Sequence, residues 1–155
     1  MGEEHRASAV AVRLVGRLGP AFARRGRSLG TVVLGAAPGD AHSLPVSMLA
    51  DVMRSRGYRV VDLGGNVPLA SFTAAVAGTD GLAAVGISVG DAACLAAAGE
   101  VVAALRDVGR SGVSGAVPIL VGGPATDAAV AAELGADGWA PDAATAADLI
   151  DELRP

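Results

Sequence analysis

Cysteine, histidine and aromatic residues are all scarce in this chain of 155 residues. The single cysteine, Cys94, has no partner within the chain for a disulfide, which favours a reducing compartment and a cytoplasmic location. One cysteine and two distant histidines, His5 and His42, are a poor basis for a zinc site. Aromatic residues make up 3% of the sequence, so there are few rings on which single-stranded nucleic acid could stack.

Clustered positive charge and long apolar runs are also missing. The net charge is −4, and the one basic patch, residues 24–27 (RRGR), is most simply a solvated helix end. Direct nucleic-acid binding is therefore not expected, because phosphate contacts need clustered cations. No uncharged apolar run reaches about 18 residues, so no segment is predicted to span a membrane. The acidic beginning of the chain does not resemble a secretory signal.

The remaining composition is that of one folded domain. With 52% hydrophobic and 18% charged residues, the chain is not expected to be disordered and is long enough to bury a core. Residues 1–28 predict a short N-terminal helix or linker, and residues 29–155 predict the domain itself.

Strand-like and helix-like stretches alternate from residue 30 onward. Strands are predicted at 31–35, 59–63, 84–88, 117–121 and 137–140, and helices at about 44–56, 69–79, 92–109, 126–134 and 143–153. This alternation predicts an α/β fold, a five-stranded parallel sheet in a flavodoxin-like (Rossmann-like) three-layer sandwich with strand order 2-1-3-4-5. The first three strands are almost continuously apolar, as expected for strands buried on both faces.

The predicted helix at 44–56 is framed by residues that favour helix ends. Ser43 is expected to be its N-cap, and Pro45 is tolerated in the first turn. Gly57 follows where the helix would stop and is expected to adopt a left-handed C-cap conformation.

In such a sheet, ligands bind beyond the carboxyl ends of the strands, near the reversal of strand order between strands 1 and 3. The four loops predicted there, at residues 35–43, 64–66, 88–91 and 122–126, are rich in Gly, Ser and Asp. The first of them carries Asp40 and His42. On spacing alone, a structural histidine held by a carboxylate is the simpler interpretation of this pair.

The loop after strand 1 does not match the common nucleotide-binding or nucleophile motifs. It reads GAAPGD rather than G-x-G-x-x-G, and the chain has no G-x-x-x-x-G-K-[ST] loop. A phosphorylated receiver domain would need an aspartate where Ser88 stands, and no nucleophile elbow is present.

Taken in order, the loop motifs resemble those of cobalamin-binding domains. Residues 39–45 (GDAHSLP) are similar to the D-x-H-x-x-G motif of that family, and residues 60–68 (VVDLGGNVP) to its second-strand turn. Residues 86–88 (GIS) resemble the start of the S-x-L segment, residues 121–126 (VGGPAT) the G-G segment, and residues 135–142 (GADGWAPD) the last strand and turn. The resemblance covers about residues 30–153 and implies that residues 29–155 are a cobalamin-binding domain.

The resemblance implies roles for individual residues. His42 is expected to be the axial cobalt ligand in place of the displaced dimethylbenzimidazole, with Asp40 on its other ring nitrogen. Ser88 and the glycine pair are expected to line the slot for the nucleotide tail. The expected cofactor-binding set is Asp40, Ala41, His42, Ser43, Pro45, Gly64, Ser88, Gly90, Gly122, Gly123 and Pro124, with His42 as the metal ligand and no catalytic residue.

Three positions depart from the family pattern. Pro45 replaces the glycine that ends the first motif and adds a ring where the family leaves space under the corrin. Gly90 replaces the leucine of S-x-L, which is expected to loosen the tail slot. Cys94 stands where some members have a hydroxyl linked to the aspartate, and a small packed residue is its simplest interpretation.

Three functions remain open. The preferred one is a cobalamin-binding sensor, regulatory or carrier module acting through a partner, because the H-S-L-P-x-x-M-L-A-D run resembles the regulator-like branch. The first alternative is the cobalamin-carrying small subunit of a mutase or corrinoid methyltransferase, and the second is a degenerate domain without cofactor. The chain is not expected to be a complete enzyme alone, and its expected partners are cobalamin and a second protein or another copy of itself.

Overall fold

The computed structural model describes residue 26, residues 28–110 and residues 116–154. The N-terminal helix predicted within residues 1–28 and most of the Gly-rich loop near residue 112 lie outside this description. The described chain forms a five-stranded parallel sheet in the order β2-β1-β3-β4-β5, which confirms the predicted fold and strand order. The strands are β1 Thr31–Ala36, β2 Arg59–Asp62, β3 Leu82–Ser88, β4 Ile119–Gly122 and β5 Gly138–Ala140.

In the described residues, five helices alternate with the strands. They are α1 Leu44–Arg56, α2 Leu69–Ala77, α3 Leu95–Arg110, α4 Ala128–Glu133 and α5 Ala143–Leu153, and a 3-10 turn, Ala92–Cys94, precedes α3. α1 and α5 have the predicted bounds. α4 is shorter than predicted because Asp127, whose carboxylate accepts from the Val130 amide at 2.8 Å, sets its N-terminus.

The helices cover the two faces of the sheet and produce two hydrophobic cores. The core on one face includes Phe72 and Val76 of α2 with Val101 and Leu105 of α3. The core on the other face joins residues of α1 and α5, among them Val46, Ala50, Met53, Ala147 and Ile150. Because α1 and α3, which follow the adjacent strands β1 and β3, lie on opposite faces, the crevice that such folds use for ligands opens at the carboxyl ends of these strands.

The central strands are buried and the edge strand is not. β1 and β3 are buried along almost their whole length, as expected for strands covered on both faces. The same expectation is wrong for β2, whose residues are exposed or half-buried. β2 pairs only with β1 and is the edge of the sheet, so the covering helices reach it incompletely.

Three predictions concerned the ends of α1, and two of them, those for Pro45 and Gly57, are confirmed. Pro45 lies in the first turn, and Gly57 has a left-handed φ of 102° with its amide N–H donating to the Arg54 carbonyl at 3.1 Å. Ser43 precedes the helix, but its hydroxyl makes no capping bond, which corrects the expectation of a side-chain N-cap. Its backbone is already helical, whereas a capping side chain requires an extended conformation there.

Within the part of the chain described above, no helix combines the length and apolarity needed to cross a bilayer.

Candidate functional site

The loop after β1 places Asp40 in contact with the His42 ring. Asp40 Oδ1 accepts from His42 Nδ1 at 2.8 Å and from the His42 amide N–H at 3.0 Å, while Oδ2 accepts from the Gly90 amide N–H. The carboxylate is fully buried, yet three donors satisfy it. Asp40 is therefore a fixed acceptor against which the imidazole is oriented.

His42 presents the rest of its ring to the outside. Its side chain is 66% exposed, although Nδ1 is held by Asp40. When a carboxylate accepts from Nδ1, the neutral imidazole carries its lone pair on Nε2. A histidine that binds a metal through one ring nitrogen usually donates its other ring N–H to a carboxylate, as His42 does to Asp40.

Gly90 lies against this pair and does not line the neighbouring cavity. A Cβ at Gly90 would stand 3.0 Å from Asp40 Oδ2 and 3.1 Å from His42 Nδ1. The expectation that glycine at this position loosens the tail slot stays a prediction, since the structure shows Gly90 beside Asp40 and His42. The missing side chain lets the Asp40–His42 pair approach the backbone.

Cys94 is a packed neighbour of the same loop. It is 7% exposed, and a Cβ on Gly39 would lie 3.3 Å from its Sγ. Burial, together with the charges of Asp40 and Asp91, raises the pKa of the Cys94 thiol. The thiol is consequently held in its neutral form close to the buried carboxylate.

A cavity of about 390 Å³ adjoins the loop cluster at the carboxyl ends of β1, β3, β4 and β5, on the face covered by α1 and α5. Its volume lies within the range of small-molecule sites. Five of the residues predicted to bind a cofactor line it, namely Pro45, Ser88, Gly122, Gly123 and Pro124. The other six, Asp40, Ala41, His42, Ser43, Gly64 and Gly90, are not among the lining residues.

Ser88 gives this cavity an unsatisfied hydrogen-bonding group. Its Oγ is buried and has no hydrogen-bond partner among the described residues. Buried hydroxyls are nearly always paired, so an orphan hydroxyl in a cavity wall indicates a partner that arrives with a ligand.

The glycine pair at the end of β4 is required by close backbone approaches. A Cβ at Gly122 would stand 2.9 Å from the Ala140 carbonyl oxygen. Gly123 has a φ of +110°, and its Cβ would stand 2.5 Å from the Val89 carbonyl oxygen. These glycines hold the loops after β3 and β4 together and thereby shape the cavity wall.

Two site residues were not singled out from the sequence, Trp139 and Asn66. Trp139 lines the cavity and donates from Nε1 to Thr126 Oγ1 at 3.1 Å, and Thr126 Oγ1 donates to the Gly123 carbonyl at 2.8 Å. Asn66 contacts the loop that carries Asp40. Each is the only residue of its type in the chain and lies in a recognised motif, but which group each contacts is decided by tertiary packing.

The described side chains near His42 suit a metal that is already coordinated by a cofactor. Across residues 28–110 and 116–154, no three His, Cys, Asp or Glu side chains come close enough to enclose an ion. In this part of the chain His42 would offer a metal one nitrogen, and the remaining ligands would come from the cofactor that carries the metal. The orphan hydroxyl and the cavity beside it provide a place for another part of the same molecule.

Comparison with known families identifies one match along most of the chain. Residues 30–148 match the model of the family described as B12 binding domain. The chain is 30% identical over 128 residues to a corrinoid protein of Desulfitobacterium hafniense, which covers 83% of this chain and 57% of that protein. It is 31% identical over 127 residues to dimethylamine corrinoid protein 3 of Methanosarcina acetivorans, covering 82% and 58%, respectively. The chain thus spans a little over half the length of these curated relatives.

Solved structures share the same architecture. The methanol:cobalamin methyltransferase complex MtaBC of Methanosarcina barkeri aligns with a TM-score of 0.72 at 28% identity, covering 81% of this chain and 46% of that one. A cobalamin-binding protein of Desulfitobacterium hafniense aligns with a TM-score of 0.73 at 24% identity, covering 81% and 60%, and supports the fold alone.

Proposed function

The chain belongs to the family of B12 binding domains, and from this premise we propose that it is the cobalamin-carrying part of a methyl-transfer system. Cobalamin is its cofactor. One of the relatives described above is named as a dimethylamine corrinoid protein. One of the solved structures is named as a methanol:cobalamin methyltransferase complex. These names favour the carrier alternative over the sensor role preferred from the sequence, for which the comparisons offer no support.

The observation that carries this proposal is the Asp40–His42 pair at the carboxyl edge of the sheet. His42 Nε2 would hold the cobalt, and Asp40 would fix the tautomer and the orientation of the ring. Bound cobalamin supplies a metal centre that takes up and gives away a methyl group. The protein's contribution is to hold that centre at one place through a nitrogen whose strength as a ligand is set by the buried carboxylate.

The cavity is assigned to the displaced nucleotide base. Its wall is largely apolar, with Pro45, Trp139 and two glycines, which suits a flat heterocycle. Ser88 Oγ is the group that would hydrogen-bond to a ring nitrogen of the base. This assignment accounts for both an unpaired buried hydroxyl and an adjoining space, which a degenerate domain without cofactor would leave unexplained.

A protein partner completes the proposal. No residue of the described site is placed to activate a methyl donor or acceptor, and the Nε2 side of the pair is open. We therefore assign methyl donation and acceptance to separate catalytic subunits that dock over the exposed edge near His42. Which methyl compound is used is left to those subunits.

The proposal is tested by loading the full chain with excess hydroxocobalamin, desalting it and recording the visible spectrum. Wild type is compared with His42→Ala and with Ser47→Ala. Ser47 is a control in the first turn of α1 that is not among the cavity-lining residues and takes no part in the Asp40–His42 hydrogen bond. We expect a retained chromophore in wild type and control, and a weaker or spectrally shifted one in His42→Ala. A chromophore unaffected by His42→Ala contradicts the axial role, and no retained chromophore in wild type contradicts cobalamin carriage by this chain.

A further inference from the structure

Asn66 belongs to the loop after β2, yet it makes two hydrogen bonds to the loop after β1. Its side-chain Oδ1 accepts from the Gly39 amide N–H at 2.8 Å, and its own amide N–H donates to the Asp40 carbonyl oxygen. The Gly39 N–H and the Asp40 carbonyl, which lie on either side of the Gly39–Asp40 peptide, are therefore both bound by one residue that is 27 positions from Gly39 in the sequence. Asn66 is the only asparagine in the chain.

The backbone of Asn66 is adapted to this contact. Its φ is +49°, and it is the one non-glycine residue in the described chain with a positive φ. Asparagine enters this left-handed region at lower cost than most residues. Such a conformation persists only where the surroundings enforce it, so it indicates a constrained role for this residue.

The neighbouring residues reinforce the contact between the two loops. The Ala36 amide N–H donates to the Gly64 carbonyl at 2.9 Å, and the Val67 amide N–H donates to the Ala36 carbonyl at 3.1 Å. A Cβ at Gly65 would stand 2.9 Å from the Ala41 carbonyl oxygen, so this glycine allows the close approach. Residues 64–67 thus support the loop that carries Asp40 along its length.

We propose that Asn66 is a positioning residue for the cobalt-binding histidine. Gly90 holds the Asp40 carboxylate from one side, whereas Asn66 holds the Asp40 backbone from the other. His42 is mostly exposed, so Asp40 is the contact that orients its ring. Asn66 acts through Asp40 on the direction in which His42 Nε2 points. This inference rests on the proposed function only for the statement that Nε2 binds cobalt.

Three substitutions separate this role from general support of the loop. Asn66→Gly keeps the left-handed backbone accessible but removes the acceptor for the Gly39 amide. Asn66→Asp keeps an acceptor oxygen and tolerates the same backbone, and serves as the conservative rescue. Asp62→Ala is the matched control, because Asp62 Oδ1 accepts from the Gly64 amide at 2.9 Å in the same loop without reaching residues 39–42.

The first measurement uses the full chain without cofactor. Amide hydrogen exchange at Gly39 and the ¹⁵N shifts of the His42 ring at alkaline pH are recorded by NMR. We expect Asn66→Gly to speed Gly39 exchange and to convert a single His42 tautomer, protonated at Nδ1, into a mixture. Asn66→Asp and Asp62→Ala are expected to retain the wild-type tautomer. A wild-type tautomer in Asn66→Gly overturns the inference.

The second measurement uses cobalamin reduced to the Co(II) state on protein labelled with ¹⁵N-histidine. The electron paramagnetic resonance spectrum distinguishes a ¹⁵N lower ligand from the ¹⁴N of the cofactor's own base. We expect Asn66→Gly to lower cobalamin affinity by roughly tenfold, at the lower end of the range for residues behind a metal ligand, and to reduce the ¹⁵N-ligated fraction. Asn66→Asp should restore both.

The outcomes distinguish the two proposals. If wild type binds cobalamin with a ¹⁵N-histidine as the cobalt ligand and Asn66→Gly does so equally well, the positioning role of Asn66 is wrong while the proposed function stands. An equal loss in Asp62→Ala also overturns the role, since it would indicate a general effect of the loop. If wild type retains no cobalamin, the proposed function fails, and the His42 tautomer in the cofactor-free protein still decides whether Asn66 orients the ring.

Discussion

Gly90 and Asp40 are held together by a hydrogen bond that leaves little room for a side chain at Gly90. The Gly90 amide donates to Asp40 Oδ2, and a Cβ on Gly90 would stand 3.0 Å from the same oxygen. The residue that interrupts the family's S-x-L pattern thus faces the carboxylate behind His42. In this chain a backbone amide of the loop after β3 therefore binds directly to a carboxylate of the loop after β1.

Ser88→Ala is predicted to have opposite effects on stability and on cofactor binding. In the free protein it removes a buried hydroxyl that has no partner among the described residues, so the free energy of unfolding should be unchanged or rise by up to about 1 kcal/mol. Cobalamin affinity should fall by roughly three- to tenfold, because a hydrogen bond to the base is lost. Urea unfolding without cofactor and spectroscopic titration with cobalamin measure the two effects. A drop in both would show that Ser88 has a structural partner instead.

Pro45→Gly tests whether the proline ring in the cavity wall, at the position where the family motif has a glycine, obstructs cobalamin binding. Cobalamin binding should be unchanged or tighter, since the substitution enlarges the space beside Ser88. The free energy of unfolding should fall by about 1 kcal/mol, because proline restricts the unfolded chain and is favourable in the first helical turn. Pro45→Ala separates the two causes, as it also removes the ring but adds less flexibility. Loss of cobalamin binding in Pro45→Gly would show that the ring is a contact and not an obstruction.

Gly123→Ala is predicted to destabilise the fold by roughly 3 kcal/mol, through a backbone clash added to an unfavourable φ. Its Cβ would stand 2.5 Å from the Val89 carbonyl oxygen, and its φ is +110°. Gly64→Ala is the matched control, because Gly64 has a φ of +80° and open space around its Cβ position. Gly64→Ala should lower the free energy of unfolding by only about 1 kcal/mol, because alanine is unfavourable in the left-handed conformation. Chemical denaturation measures both, and equal losses would mean that the Val89 loop moves aside freely.

Tyr58 is predicted to make stability depend on pH at the alkaline end. Burial, followed by the hydrogen bond to Asp151, raises the pKa of Tyr58 from 10.0 to about 12. Since the neutral phenol is favoured in the folded state, its contribution is fully present below pH 10.0 and is lost as the pH rises through about 12. The chain contains no lysine, so few other groups titrate in this window.

Tyr58→Phe should remove that alkaline loss and lower the free energy of unfolding at neutral pH by about 1 kcal/mol. The cost is small because Asp151 keeps its ion pair with Arg56 at 2.8 Å. Denaturation from pH 8 to 12 in both proteins provides the test, and Cys94, whose pKa is also raised, titrates in both and cancels in the comparison. A parallel alkaline loss in Tyr58→Phe would assign the effect to another group.

Much of the fold was available from the sequence because its signals are local. Apolar runs of strand length alternate with helical patterns, and the first helix begins and ends at the predicted residues 44 and 56. Ser43 occupies the predicted N-cap position of that helix, but its hydroxyl makes no capping hydrogen bond because its own backbone is helical. β2 was predicted as fully buried because an apolar run does not reveal whether its strand has one neighbour or two.

By itself the sequence determined the α/β class, the order of the strands, and the candidate metal ligand His42 with its partner Asp40, which lie close in the chain and need only one loop to meet. Tertiary structure alone decided that Gly90 abuts this pair, that Ser88 Oγ is left unpaired in a cavity wall, and that Asn66 reaches the Gly39 amide. The reason is physical: each of these contacts joins loops that follow different strands. Their distance depends on the register of β1, β2 and β3 in the sheet, which no single stretch of sequence specifies.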